Sequence, residues 1–318
     1  MMRLVAIAIL FVLNISVGAA ENQLAVGELT ARALPSQGVQ AFSYRSKVTG
    51  RLYDITIRFP RQFRENPDAK FPALVITDGN RFFSAANFAL NAVEAELGKP
   101  MILVAIGTPF EEGYAAYNRR RVHEFSTSGW NLKDPFGKTI EQSCREWKLT
   151  PKDCLGGADE FLEFIAGELL PTLSGPFRID QNDLTLGGVS AGGFFAAWTV
   201  FQEASPFSNY IISSPALAYG DGEVFRQERR FADKNDDLDV GIYMSSGSLE
   251  IDHPYIEALG RVISGQAQLG GVLNSRAYEN LTLHSEIHNG LGHVDAAAAA
   301  YARGLRLLRG AKPAESAQ

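Results

Sequence analysis

A serine between glycines is the first candidate for chemistry in this chain. The stretch GVSAG, residues 188–192, follows an apolar run and precedes a second one with helical spacing. A G-x-S-x-G pentapeptide in that setting predicts a sharp strand-to-helix turn that exposes the hydroxyl. We therefore predict Ser190 as a nucleophile, with the backbone N–H of Ala191 facing a developing oxyanion. The alternative is a turn of small residues that lets a strand and a helix pack closely.

A serine nucleophile needs a base, and the chain has five histidines. The expected order along the chain is serine, acid, histidine, with the base in a loop before the last helix. His293 occupies that place, between the segment NGLG and the alanine-rich stretch VDAAAAAYARGLRLL. His288, at the end of a predicted strand, is the alternative base.

The acid is expected after the strand that precedes the histidine loop. Glu250 and Asp252 both follow the apolar run VGIYMSSG. A carboxylate there would fix the imidazole tautomer and stabilise its charged form. We prefer Glu250 and keep Asp252 as the second candidate. The alternative is that both are ordinary surface carboxylates of a loop.

A metal or cofactor site is not expected. His284, His288, His293 and Asp295 crowd into a dozen residues, but a four-residue spacing on a strand does not bring two histidines to one metal as it would on a helix. The sequence has no Walker loop and no dinucleotide fingerprint. We therefore predict chemistry without a metal ion or a cofactor.

The elements that must position these residues alternate between strand and helix. FPALVITDG and MILVAIGTP are continuous apolar runs, typical of strands buried on both faces, and RLYDITIRFP alternates as a half-buried strand does. This alternation of strands and helices predicts an α/β fold with a mainly parallel, doubly wound sheet in a single domain, residues 21–318. Residues 110–155 mix polar and apolar residues without a regular pattern and are rich in turn-forming residues, which predicts a lid-like insertion.

The composition is that of an enzyme-sized globular protein. The 318 residues carry a formal net charge of −6 without a long basic run. A basic field is the usual mark of nucleic-acid binding, so a nucleic-acid partner is not expected. A small molecule is the expected partner.

The N-terminal segment predicts export. Arg3 precedes an apolar stretch that ends in VGAA, so residues 1–20 have the pattern of a cleaved signal peptide. The mature protein would then be periplasmic or secreted, without a stable membrane anchor; an uncleaved anchor is the alternative. An oxidising compartment favours a disulfide between Cys144 and Cys154, the only two cysteines, over two free thiols.

Several motifs together resemble those of a known family. ALVITDGNRFF, MILVAIG, GADEFLEFIAGELLP, LTLGGVSAGGFFAAW, FSNYIISSPAL, GSLE and GHVDAAAAAYARGLRLL occur in the order seen in the enterochelin (enterobactin) esterase-like hydrolases. The resemblance implies an α/β-hydrolase fold, with Ser190 as nucleophile, His293 as base and an acid near Glu250. It also implies a second oxyanion donor at the backbone of Gly79 or Asn80.

One departure from the family concerns a basic run. Relatives often carry Arg-x-Arg-Asp after their YR, whereas this chain has YNRRRVHEFSTSGW. Arg119, Arg120 and Arg121 could bind an anionic substrate, such as an iron-loaded catecholate; the alternative is a solvated face.

The resemblance implies hydrolysis of a carboxylic ester through an acyl-enzyme, with a siderophore ester among the candidate substrates. Two alternatives are an acyltransferase with the same triad and a non-catalytic binding protein that retains the fold.

Overall fold

The computed structural model describes residues 38–127, 130, 132–133 and 135–311. The predicted signal peptide, residues 1–20, lies outside the described residues. The strands are β1 (Val39–Arg45), β2 (Leu52–Arg58), β3 (Phe71–Ile76), β4 (Ile102–Gly107), β5 (Ile179–Val189), β6 (Asn209–Ser213), β7 (Gly241–Gly247) and β8 (Thr282–His288).

These strands form one sheet in the order β1-β2-β4-β3-β5-β6-β7-β8. All neighbours from β4 to β8 are parallel, whereas β2 is antiparallel to both β1 and β4. Every residue of β3 and β4 is buried, as expected for central strands covered on both faces. The predicted α/β-hydrolase fold with a mainly parallel, doubly wound sheet is confirmed.

β1 is not among the strands predicted from the sequence. Among the described strands it pairs with β2 alone, from Val39 opposite Arg58 to Arg45 opposite Leu52. Its side chains alternate between half-buried and exposed. An edge strand of this kind has no strong apolar pattern, because one edge has no partner strand and only one face packs on the core.

Helices cover both faces of the sheet. A π-helical segment spans Phe164–Leu169, and 3₁₀ turns include Phe110–Glu112 and Ser248–Glu250. The α-helices are α1 (Gly79–Val93), α2 (Gly113–Glu124), α3 (Pro135–Glu146), α4 (Pro151–Cys154), α5 (Ala158–Glu163), α6 (Leu170–Phe177), α7 (Ala191–Thr199), α8 (Tyr219–Ala232), α9 (Val262–Arg276) and α10 (Ala296–Arg309).

The apolar core is divided between the two faces. On one face α1 and α10 pack on the sheet through residues such as Leu90 and Tyr301. On the other face the segment from α5 to α6, together with α7, contributes Phe161, Phe164 and Phe194. Burial of each such side chain stabilises the fold by about 1.5–3 kcal/mol. The sheet that carries the candidate residues is therefore held from both sides.

The segment between β4 and α5, predicted as an insertion, is largely helical. It contains α2, α3 and α4, and α2 packs against α4, α5 and α7. A disulfide joins Cys144 of α3 to Cys154 of α4, and both cysteines are buried. Of the helices that the structure describes, none is long and apolar enough to cross a bilayer.

Candidate active site

Ser190 lies on the turn between β5 and α7. Its backbone has φ 61° and ψ −117°, a left-handed conformation that residues other than glycine rarely adopt. The flanking glycines allow the turn, because a side chain at Gly188 would overlap the backbone of Gly192. The N–H of Ser190 donates to the Ser213 carbonyl at 3.0 Å, which anchors the turn to β6.

His293 and Glu250 are in direct contact. His293 Nδ1 is hydrogen-bonded to Glu250 Oε1, and the Glu250 side chain is only 1% exposed. Glu250 Oε2 accepts hydrogen bonds from Ser214 Oγ at 3.0 Å and from the Gly247 N–H at 2.6 Å. These two donors hold Oε2, while Oε1 contacts His293. The imidazole therefore has its Nδ1 occupied and its Nε2 available for a second partner.

No hydrogen bond within 3.5 Å joins Ser190 Oγ to His293 in the part of the chain that the structure describes. The His293 side chain is 21% exposed, so its ring is partly accessible to solvent. In free hydrolases the contact between nucleophile and base is often long and tightens in the complex with substrate.

The alternative acid and base lie in other settings. Asp252 is exposed, two residues beyond the 3₁₀ turn that directs Glu250 inward. His288 Nε2 is 3.1 Å from the hydroxyl of Tyr243, which donates to Glu286 Oε2 at 2.9 Å. Burial lowers the pKa of His288 below its usual value, and nearby Glu286 opposes that shift. The geometry therefore favours the pair of Glu250 and His293.

Two helix starts meet beside Ser190. α7 begins at Ala191, and α1 begins at Gly79 after Asp78, whose φ is 54°. A side chain added at Gly192 would lie 3.4 Å from Asp78 Oδ2, which places the two turns side by side. The first N–H groups of a helix have no partner within it, so those of Ala191, Gly79 and Asn80 can bind an anion.

The side chain of Asn80 holds the turn at the start of α1 against the sheet. Asn80 Nδ2 donates to the Thr108 carbonyl at 2.6 Å, and the Thr108 N–H donates to Asn80 Oδ1 at 2.7 Å. Gly79 packs so closely on β4 that an added side chain would lie 3.0 Å from the backbone of Ala105 and Ile106. The turn therefore has little freedom to move.

The three consecutive arginines of α2 project in three directions. Arg119 is exposed. Arg120 is buried, paired with Glu112 at 2.9 Å and Glu124 at 3.5 Å. The structure does not bring Arg119, Arg120 and Arg121 together as one anion-binding group, because successive helical residues lie about 100° apart around the axis.

Arg121 has a partner that the sequence analysis missed. Its Nε lies 2.7 Å from Asp78 Oδ1, and the Asp78 side chain is 1% exposed. The hydroxyl of Tyr117 lies near this pair, and burial, reinforced by the Asp78 charge, raises the pKa of Tyr117 above its ordinary range. Asp78 belongs to the motif TDGN, in which the resemblance assigns a role only to Gly79 or Asn80. α2 is thus attached to the turn that precedes Gly79.

Among residues 38–127, 130, 132–133 and 135–311, no three His, Cys, Asp or Glu side chains are grouped so that they could hold a metal ion.

Comparison with known proteins agrees with the fold. The family described as "Putative esterase" matches residues 133–256, which include Ser190 and Glu250. The ferri-bacillibactin esterase BesA of Bacillus subtilis is 26% identical over 71% of this chain and 75% of its own length. The siderophore enterobactin esterase of Emericella nidulans is 29% identical over 56% of this chain and 58% of its own length.

Solved structures give the same result. The BES protein from Bacillus cereus is 25% identical and superposes with a TM-score of 0.69 over 88% of this chain and 99% of that protein. The resemblance stated from the sequence motifs is therefore confirmed. The chain is an esterase with the α/β-hydrolase fold, and it is similar in sequence and structure to the enterobactin esterase-like proteins.

Proposed function

We propose that this esterase is an exported serine hydrolase that cleaves a siderophore ester through Ser190, His293 and Glu250. The observation that carries the proposal is the hydrogen bond between His293 Nδ1 and the buried carboxylate of Glu250. The strained turn at Ser190 supports it, since the nucleophile of an α/β hydrolase occupies such a turn.

In the proposed mechanism, Ser190 Oγ attacks the ester carbonyl while His293 Nε2 takes its proton. Glu250 stabilises the imidazolium that forms and keeps the ring in the required tautomer. The N–H of Ala191 and those of Gly79 and Asn80 stabilise the oxyanion. His293 then protonates the leaving alcohol, and a water molecule, activated by the same histidine, hydrolyses the acyl-enzyme.

The substrate class rests on the relatives rather than on a feature of the site. One matched relative is named for ferri-bacillibactin and another for enterobactin, and both names specify an esterase. The proposed substrate is accordingly a siderophore in which ester bonds link the iron-binding units.

Export rests on the N-terminal segment and on the cysteines. Residues 1–20 have the charge and the apolar stretch of a signal peptide, and the disulfide of Cys144 and Cys154 suits an oxidising compartment. Cell fractionation, with N-terminal sequencing of the mature protein, tests this part. A chain that retains residues 1–20 in the cytoplasm contradicts it.

The central experiment measures hydrolysis of p-nitrophenyl butyrate and of enterobactin, with and without iron. The wild type is compared with Ser190→Ala and His293→Ala, and we expect a loss of kcat of several orders of magnitude in both variants. Labelling by a fluorophosphonate probe, followed by mass spectrometry of the modified peptide, identifies the nucleophile. A label on another residue, or full activity in Ser190→Ala, would overturn the proposal.

A further inference from the structure

One edge of the central sheet is open to pairing. β8 is the last strand in the sheet order, and among the described strands it pairs with β7 alone. None of its residues is buried, whereas every residue of β7 is buried. β8 pairs with β7 without a shift in register and contains neither proline nor lysine. Because bulges, prolines and lysines are the usual protection of a sheet edge, the outer edge of β8 can accept another strand.

The backbone groups that face this edge follow from the pairing with β7. The N–H of Thr282 donates to the carbonyl of Val240 at 3.0 Å, so Thr282 directs its backbone polar groups toward β7. Successive residues of a strand direct these groups to opposite sides. Those of Leu283, Ser285 and Ile287 therefore point away from β7 and can bind a strand on the outer side.

The sequence of β8 complements itself when a second copy runs in the opposite direction. With a two-fold axis at Ser285, Leu283 faces Ile287 of the other copy, and His284 faces Glu286. The residues with outward backbone groups then face one another, so all of these groups find hydrogen-bond partners. His284 and Glu286 form the closer pairs without backbone hydrogen bonds, in which side chains interact most directly. The register thus satisfies both the backbone and the charges.

The neighbouring registers match the charges less well. An axis at His284 places that histidine opposite itself, and an axis at Glu286 places two carboxylates opposite each other, which is destabilising. The side chain of Glu286 remains 30% exposed beside its partner Arg303. Its carboxylate can therefore accept a further hydrogen bond from the imidazole of His284 in a second copy.

The opposite edge of the sheet lacks this complementarity. Arg45 is the only charged residue of β1 (Val39–Arg45), so a second copy of β1 offers it no carboxylate. At the β8 edge, by contrast, Ile287 is 48% exposed and would cover Leu283 of the second copy. The distribution of charged and apolar side chains therefore favours β8 as the edge that pairs.

We infer that the outer edge of β8 is an interface for a second copy of this chain, paired antiparallel around Ser285 into one continuous sheet. The strands of the two copies then run in opposite directions. The carboxyl ends of the parallel strands, where Ser190 and His293 lie, therefore face opposite sides of the dimer. Each proposed active site stays accessible, and the inference does not depend on the proposed function.

Crosslinking tests the register. Residues of a hydrogen-bonded antiparallel pair have Cα atoms about 5.5 Å apart, a separation that a disulfide spans. The two native cysteines are joined to each other, so Ser285→Cys adds the one free thiol. We expect this variant to form a covalent dimer under mild oxidation, visible on a non-reducing gel. The control is Ser43→Cys, at an exposed serine of β1 on the opposite edge, which should stay monomeric on that gel.

Sedimentation velocity over a concentration series measures association without a crosslink. We expect the wild type to form a dimer that dissociates on dilution. Ser285→Lys places two like charges together at the axis, and His284→Glu places a carboxylate opposite Glu286 twice in each dimer. Each variant should raise the Kd of the dimer about tenfold or more. His284→Gln, which can still donate to Glu286, should change the Kd less than His284→Glu, and Ser43→Lys should leave it unchanged.

Three results would overturn the inference. The first is a wild type that stays monomeric at every concentration, and the second is Ser285→Cys protein that crosslinks no more than Ser43→Cys. The third is a wild-type dimer that Ser285→Lys and His284→Glu leave intact, since the two copies would then meet through another surface. Far-UV circular dichroism checks that each variant is folded, and the use of two positions keeps the test decisive if one variant does not fold.

Discussion

Arg121 Nε lies 2.7 Å from Asp78 Oδ1 and so connects the helix α2 to the turn that begins α1. The Asp78 carboxylate is almost fully buried, and burial of an unpaired charge is costly. Because Asp78 immediately precedes Gly79 and Asn80, the pair couples the segment between β4 and α5 to the proposed oxyanion donors. The position of those donors then depends on a side chain about 40 residues away in the chain.

Arg121→Met should destabilise the protein and slow the reaction together. Removal of one partner of a buried pair costs about 3–5 kcal/mol, because the remaining charge has no compensation. Urea unfolding measures the stability, and kcat for p-nitrophenyl butyrate reports on the turn. The exposed pair of Arg303 and Glu286 is the control: Arg303→Met should cost less than about 1 kcal/mol.

The double variant Asp78→Asn with Arg121→Met separates charge from packing. Asparagine tolerates the left-handed backbone at position 78 and has no charge to leave unpaired. We expect the double variant to be more stable than Arg121→Met alone. If it is less stable, the pair does not act through the buried charge.

Glu250→Gln should reduce kcat on the order of 10⁴-fold while the fold persists. The donors from Ser214 and Gly247 attract the amide oxygen, so the amide nitrogen turns toward His293. Nδ1 must then accept a hydrogen bond, which leaves the proton on Nε2 and prevents it from acting as a base. Steady-state kinetics with p-nitrophenyl butyrate measures the loss.

Asp252→Asn is the matched control for the acid, since Asp252 is exposed and two residues away. It should retain kcat within a factor of about three, as surface substitutions generally do. A variant Glu250→Gln that keeps most of its kcat, together with an inactive Asp252→Asn, would reverse the assignment.

His123 should make the protein less stable in mild acid. Burial, with a smaller contribution from the charge of Arg51, lowers the pKa of His123 to about 4 from 6.5. Below pH 6.5 the unfolded chain binds a proton that the folded protein does not. The associated stability is therefore complete above pH 6.5 and is lost as the pH falls toward 4, by at most about 1.4 kcal/mol per pH unit and less because the ring is partly exposed.

The measurement is urea unfolding of the wild type and of His123→Leu at pH 7.5 and pH 5. Subtracting the variant removes the contribution of the carboxylates common to both proteins. We expect the difference in stability between the two proteins to change in favour of the variant at pH 5. Equal pH dependence in both would contradict the assignment.

Loss of the disulfide should lower the unfolding free energy by about 2–3 kcal/mol, since it closes a loop between residues ten apart. Urea unfolding with and without dithiothreitol measures the effect on the wild type. The double variant Cys144→Ser with Cys154→Ser is the control and should not respond to the reductant. An equal response in both proteins would show that the reductant acts elsewhere.

The central sheet and the turn at Ser190 could be predicted from the sequence because their signals are local. Continuous apolar runs require burial on both faces, and the glycines around Ser190 mark a close approach of backbones. β1 has neither signal. Its residues Val39–Arg45 are at the edge of the sheet and half exposed, so their pattern differs little from that of a surface loop.

From the sequence, the candidate site could be predicted only to the extent that the order of serine, acid and histidine along the chain determines it. The sequence does not distinguish Glu250 from Asp252 as the acid. In the structure, the 3₁₀ turn Ser248–Glu250 directs Glu250 inward, whereas Asp252 is exposed to water. The same limit applies to Arg119, Arg120 and Arg121, whose separate directions follow from helix geometry. The pairing of Arg121 with Asp78 joins distant parts of the chain, and no local pattern encodes it.

The strained backbone of Ser190 lowers the stability of the protein at the residue that the proposed mechanism requires for activity. A non-glycine residue in a sparsely populated region of φ and ψ costs on the order of 1–3 kcal/mol. Ser190→Gly removes most of this strain together with the hydroxyl, so we expect an inactive protein with a higher melting temperature than the wild type. Thermal unfolding of Ser190→Gly beside Ser190→Ala, which keeps the Cβ, measures how much stability the molecule loses through the strained backbone of its proposed nucleophile.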